Sequence, residues 1–295
     1  MTEIVEHILS HREPDSKIFD HDGVESFFCD FPLGLKEWPM AAFSPEISVS
    51  YSQAYIEEGK FGFTNALNLS AKFKTKNSQY LISEKITYDG NIEIELNSVV
   101  REGQKTRQKE NFIYEFIQKH YQLLKNLVNK TEVMPSDAYI KIHAHSGELE
   151  GVKTRGGYVW ATYGFDFANP GELHVTRKAF QKYAKEHGLE ILAKDLELFK
   201  YPCHFSAFRA NQKVDGQDIG KAFMMQYEWQ GVLYATMKKN SELFKYAWLY
   251  HKQGKSIAEN GLSKSFRTMM KKYNQEQKQF NWLKKVFKAK KACHC

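Results

Sequence analysis

Long apolar runs are missing from this chain of 295 residues. No eighteen consecutive apolar residues occur, so the sequence offers no candidate for a membrane-spanning helix. Cysteine is scarce as well. Cys29, Cys203, Cys293 and Cys295 have neither the spacing of a zinc site nor that of a disulfide framework, and reduced thiols are expected. The opening MTEIVEHILSHREPD carries acids and lacks the basic start and apolar stretch of a secretory leader, so the expected location is cytoplasmic. Proline is sparse and unevenly spread: four of the 7 (Pro14, Pro32, Pro39 and Pro45) fall early, and residues 1–60 read as an irregular N-terminal segment.

Acidic residues are nearly absent from one place. From Lys255 to Cys295 eleven Lys or Arg stand against Glu259 and Glu276, whereas the whole chain has a net charge of only +7. The body is therefore close to neutral, and an anionic partner would have to be met by residues 251–295. There Phe266, Tyr273, Phe280 and Phe287 recur every seven residues, with Met269 and Leu283 between them. That is the narrow apolar stripe of a basic amphipathic helix. Two alternatives follow: a helix folded back on the body, or one that binds nucleic acid, an acidic protein or a membrane face. The ending KAKKACHC is similar to the Cys-x-Cys terminus that receives paired prenyl groups in small membrane-trafficking GTPases, but no G-x-x-x-x-G-K-[ST] loop accompanies it.

Clear periodicity begins at Leu67, where Leu67, Leu69, Ala71 and Phe73 alternate with polar residues as in a half-buried strand. Asp89-Gly90 separates YLISEKITY from NIEIELNSVV, which predicts a hairpin. After the polar, basic loop REGQKTRQKEN, a helix is predicted over about 112–128, with Ile113, Phe116, Ile117, His120, Leu124, Leu127 and Val128 on one face. AYIKIHA reads as a strand parallel to NIEIELNSVV, because a strand–helix–strand stretch of this length suits a right-handed crossover. Further on, a helix is expected over Arg177–His187 with Thr176 as its N-cap. KAFMMQYEWQGVLYATM reads as two strands, and YPCHFSAF has no clear period. Cys203 and His204 are adjacent and were they on a strand would face opposite ways, so they make no nucleophile–base pair. His143 and His145, two apart on a strand, point the same way as a metal pair would; no further ligand motif accompanies them, and no metal is expected.

GGYVWATYGFDF, Gly156–Phe167, packs five aromatic residues and three glycines into twelve positions. Together with the strand, loop, helix and strand before it, this segment resembles the core of the GNAT (acyl-CoA N-acyltransferase) superfamily, in the divergent form found in phage and mobile-element proteins. The resemblance covers about residues 67–167. It implies an α+β fold: a mixed sheet with flanking helices over residues 61–170, continued through 171–250, with the basic helical extension over 251–295. It implies acetyl-CoA or another acyl-CoA as co-substrate, with an amine acceptor or a protein partner. The pyrophosphate loop, Q/R-x-x-G-x-G/A in the family, falls on Gln104, Lys105, Thr106, Arg107, Gln108 and Lys109. Arg107 and Lys109 stand where glycines are usual, so charge replaces close backbone approach. Trp160 stands where many members carry the tyrosine that protonates the leaving thiolate. Indole cannot do so, and Tyr158 and Tyr163 are the nearby substitutes, with Tyr158 the candidate catalytic acid. His145 and Glu148, after the second strand, are the candidates to take the amine proton. The alternatives to an N-acyltransferase are a non-catalytic binding module with the same core, and an anion or nucleic-acid binder acting through the tail.

Overall fold

The structure is a computed structural model that describes residues 17–18, 47–55, 63–74, 79–88, 91–102, 112–149, 152–238 and 241–275. The chain divides into two units, Met1–His143 with Val232–Met237, and Ala144–Gly231 with Lys238–Cys295. Mixed α+β architecture holds as expected, and no helix among the described residues is long and apolar enough to cross a membrane.

In the first unit the strands are β1 (Lys17–Ile18), β2 (Ile47–Tyr55), β3 (Phe63–Lys74), β4 (Gln79–Tyr88), β5 (Ile92–Glu102) and β6 (Ala138–Ala144). They lie side by side in that order, and residues 232–234 follow next to β6. Strands β2 to β5 form an antiparallel meander. Strands β4 and β5 pair antiparallel as the predicted hairpin requires, with Tyr88 opposite Ile92. Strand β2 corrects the expectation that residues 1–60 are irregular: a nine-residue strand starts just after Pro45, where the breaker no longer acts.

Helix α1 (Phe112–Lys130) connects β5 to β6, and these two strands pair in parallel from Ile92/Ala138 to Leu96/Ile142, as the sequence predicted. Alternation selects the faces. Ile82 and Ile86 of β4, Ile92, Ile94 and Leu96 of β5, and Ala138, Ile140 and Ile142 of β6 are buried, as are Phe116, Ile117, Leu124 and Leu127 of α1. Each such aliphatic side chain contributes about 1.5–3 kcal/mol by leaving water. One polar pair interrupts this core. Glu84 on the buried face of β4 lies 2.8 Å from His120 Nε2, and both side chains are fully buried. The other ring nitrogen, Nδ1, is 2.9 Å from the Phe116 carbonyl of the same helix. A helix-face histidine can replace an aliphatic residue here because the strand supplies a carboxylate to meet it.

In the second unit β7 (Ser146–Leu149) and β8 (Val152–Arg155) form a hairpin, followed by α2 (Gly156–Ala161), β9 (Asp166–Phe167), α3 (Pro170–Glu186), α4 (Ala193–Leu196) and α5 (Pro202–Ala207). Then come β10 (Lys213–Val214) with β11 (Gln217–Asp218), α6 (Ile219–Met224), β12 (Trp229–Tyr234), α7 (Glu242–Trp248), a π-helical turn Leu249–Gln253, α8 (Lys255–Ala258) and a last helix over residues 264–275, α9. Ala168 donates its backbone N–H to Gln230 at the Trp229 end of β12.

Two sequence expectations change here, and one open stretch takes a definite form. Helix α3 starts at Pro170 with Asn169 as N-cap, its side chain accepting from Glu172 N, so Thr176 is an interior residue. KAFMMQYEWQGVLYATM is a helix and a strand, not two strands. YPCHFSAF is α5, started by Pro202 at its first turn.

The core of this unit is made of rings. Phe180 packs against Phe199, Phe205, Phe208 and Phe223 with centroids 5.2, 5.5, 5.6 and 5.0 Å away. Phe266 from α9 joins the cluster through Phe199 at 5.1 Å. Met269 and Tyr273 are also buried, and the Tyr273 hydroxyl donates to Asp195 at 2.8 Å. The front of the aromatic stripe is thus core of the second unit, while Phe280, Leu283 and Phe287 lie outside the described residues.

Candidate functional site

The glycine-aromatic segment is a short helix, and close contact explains two of its glycines. Gly156 donates its N–H to the His145 carbonyl at 2.9 Å, and a Cβ there would meet that oxygen at 2.3 Å. A Cβ on Gly157 would fall 2.1 Å from the Tyr227 carbonyl and 2.3 Å from that of Met224. The approach is closed by Trp229, whose indole N–H donates to the Gly157 carbonyl at 3.0 Å. Trp160 packs edge-on to Phe165 with centroids 5.6 Å apart, a packing role.

Tyr158 leaves this helix half-buried, its hydroxyl 2.6 Å from that of Tyr250. Burial first, and the neighbouring Tyr250 and Tyr246 next, hold its pKa well above the ordinary phenol value despite the opposing pull of Arg209. It therefore stays a protonated phenol, a donor and never a base at neutral pH. His145 is exposed, with Nδ1 3.6 Å from Glu228 Oε1, which also accepts from Ser146 N at 3.3 Å. Glu148 sits in β7 opposite Lys153 of β8; its side chain lies outside the described residues. Gln104, Lys105, Thr106, Arg107, Gln108 and Lys109 lie outside them altogether. Backbone contact through Gly156 joins the His145 turn to the helix that carries Tyr158.

In the first unit the ladder between β5 and β6 ends early. The last pair is Leu96 with Ile142, yet β5 continues to Glu102 and β6 to Ala144. At the same point β5 bulges: Ser83 pairs with Ser98 and Glu84 with Leu96, which leaves Asn97 without a partner position on β4. A bulge bends its strand and increases the local twist. A bent β5 that runs on past its last pair with β6 makes a fork between two parallel strands. A fork of this kind presents strand backbone to an extended ligand, the mode in which a peptide adds to a sheet edge. Nothing in NIEIELNSVV marks Asn97 beforehand, because a bulge is a property of the paired strands.

Other reactive groups have structural partners. Cys203 is fully buried and its thiol is pushed up, chiefly by that burial, so it is no nucleophile at neutral pH. Lys200 N donates to His204 Nδ1 at 2.9 Å, which leaves the proton on Nε2 for Glu242 Oε1 at 2.8 Å. Burial raises the Glu242 carboxyl, but His204 and the Ser263 N–H outweigh it and bring the pKa down. Compared with protein-family models, curated proteins and solved structures, the chain matches none.

Proposed function

We propose that the chain is a GNAT-like protein that binds an acyl-CoA along β5 and, in its catalytic form, transfers the acyl group to an amine. The observation that carries this proposal is the fork at Asn97: β5 runs on from the last β5–β6 pair, Leu96/Ile142, to Glu102. The pantetheine arm of CoA is an extended chain with two amides, the chemistry that pairs with strand backbone. Support also comes from connectivity. The chain leaves the Glu102 end of β5, beyond the last pair with β6, for the segment holding Arg107 and Lys109, and α1 begins soon afterwards at Phe112. Basic side chains next to a helix start suit a pyrophosphate.

A thioester supplies an acyl carbon already activated towards an amine. The residues would then move two protons. His145 or Glu148 would take one from the attacking nitrogen, and Tyr158 would return one to the thiolate sulfur. The Tyr158–Tyr250 hydrogen bond and the raised Tyr158 pKa favour a second reading, acyl-CoA binding without transfer, because such a phenol is a reluctant acid.

Isothermal titration of the full chain with acetyl-CoA tests the binding. A saturable isotherm is expected, weakened by on the order of 1–3 kcal/mol in Arg107→Ala/Lys109→Ala. Absence of binding sinks the proposal, and binding indifferent to the double variant misplaces the loop. Release of free thiol in the presence of a panel of amines separates transfer from binding alone.

A further inference from the structure

The second unit holds a basic cavity that shares Tyr158 with the acyl-CoA proposal and whose cations that proposal leaves unused. It has a volume of about 130 Å³ and is lined by Arg209, Lys213, Lys221 and Lys255 together with Tyr158 and Tyr250. Asp218 is the one carboxylate in its wall.

Local structure brings these residues together from separate parts of the chain. Asp215 and Gly216 both have positive φ, 48° and 73°, the two-residue turn that closes a tight hairpin. That hairpin, β10–β11, pairs Lys213 with Asp218 and presents both beside Arg209. Helix α6 follows directly and contributes Lys221, whose ammonium lies 5.3 Å from the centre of the Tyr158 ring. Lys255 opens α8 after Gly254, a residue at φ 117°, and its ammonium lies 5.7 Å from the Tyr250 ring.

Charge is unevenly matched. Arg209 reaches Asp218 at 3.5 Å and Glu259 at 2.8 Å, and Lys213 also pairs with Asp218. One wall carboxylate therefore serves two cations, while Lys221, over the Tyr158 ring, also donates to Gln217 Oε1 at 2.5 Å, and Lys255 stands over the Tyr250 ring. Tyrosine hydroxyls and a guanidinium add directional donors to this field. Such a lining suits a compact ligand of at least two negative charges, and the volume admits a phosphate group with room for a small group attached to it.

We propose that this cavity is a binding site for the phosphate group of a small phosphorylated molecule, separate from acyl-CoA binding in the first unit. Arg209 and Lys213 exchange part of their contact with Asp218 for the dianion, Lys221 and Lys255 close over it, and the Tyr158–Tyr250 pair supplies hydroxyl donors. The affinity is salt-dependent, because ionic strength screens four cations at a partly open surface.

The test is titration of the full chain with inorganic phosphate, and with glycerol phosphate as the monoester, followed by calorimetry in a phosphate-free buffer without CoA. Saturable binding is expected, weaker at high salt, and weakened about tenfold or more in Lys213→Met/Lys255→Met, the loss of at least one charge-assisted contact. Both lysines are exposed, so this variant should keep its fold, and an unchanged melting temperature without phosphate checks that. Arg107→Ala/Lys109→Ala should leave phosphate binding intact, which keeps failure here distinct from failure of the acyl-CoA proposal. Tighter binding of the monoester than of inorganic phosphate identifies the source as a phosphorylated metabolite; equal binding identifies free phosphate. Binding that the Lys213/Lys255 variant leaves untouched, or no saturation, overturns the site.

Discussion

The two units are built on different scales. Strands β2 to β5 of the first are nine to twelve residues long, and α1 has 19 residues. Apart from α3, with 17 residues, and α9, the described α-helices of the second unit have four to seven residues. A twelve-residue strand repeats its alternation six times, whereas a six-residue helix completes fewer than two turns. The long elements therefore declare their own buried faces. The short ones acquire a face only when Phe180, Phe199, Phe205, Phe208, Phe223 and Phe266 meet. The first unit rests on aliphatic layers with one polar pair inside, and the second on interlocked rings and backbone close approach.

The largest expected effect would break the second unit at its closest approach. Gly157→Ala places a methyl group against two backbone carbonyls that cannot rotate away. A loss of on the order of 4 kcal/mol or more is expected in chemical denaturation, together with faster amide exchange in α2 and α6. Exchange changes confined to the first unit, or a mild loss, would show that the contact has room to relax.

Next comes the polar pair of the first unit. Glu84→Leu leaves the His120 imidazole buried against a hydrocarbon and should cost about 3–5 kcal/mol. Glu84→Leu/His120→Leu restores a uniform apolar layer and should lie within about 1 kcal/mol of the parent in urea unfolding. If the double variant is as unstable as the single one, the pair matters through shape and not through charge.

The smallest effect sharpens the electrostatics of the second unit. Burial raises the Asp166 carboxyl from 3.8 to about 6, although the Phe167 N–H pulls the other way. Between those values the folded state holds a proton that the unfolded chain has released, so stability falls as pH rises through this window and stays lower above it. Asp166→Asn keeps an acceptor for Phe167 N and should gain on the order of 1–2 kcal/mol at pH 7, with a flatter profile between about pH 4 and 6. A loss at pH 7 would mean that the ionised carboxylate has a partner of its own.

Legibility followed element length. The β4–β5 hairpin, α1 and the parallel pairing of β5 with β6 could be read from alternation, from Asp89-Gly90 and from the apolar helix face. Asp215-Gly216 is the same turn signal, but its strands are two residues long and show no alternation to frame it. Thr176 reads as a cap by residue type alone, but Asn169 caps the helix and Pro170 at its first turn starts it. Of the candidate site, Tyr158 and His145 could be named from the sequence, but not their partners Tyr250 and Glu228, which lie about eighty to ninety residues further along.

By itself the sequence determined the first unit's strand faces, its crossover helix and the basic character of the tail, because periodicity and charge are local properties that each segment carries. Only the tertiary structure decided that Asn97 bulges, that Glu84 and His120 share a buried site, that Phe266 and Tyr273 are core, and that four cations line one cavity. Those features depend on which segments meet, and proximity between residues far apart in the chain is fixed by packing and by the register of paired backbones, not by any pattern within one segment.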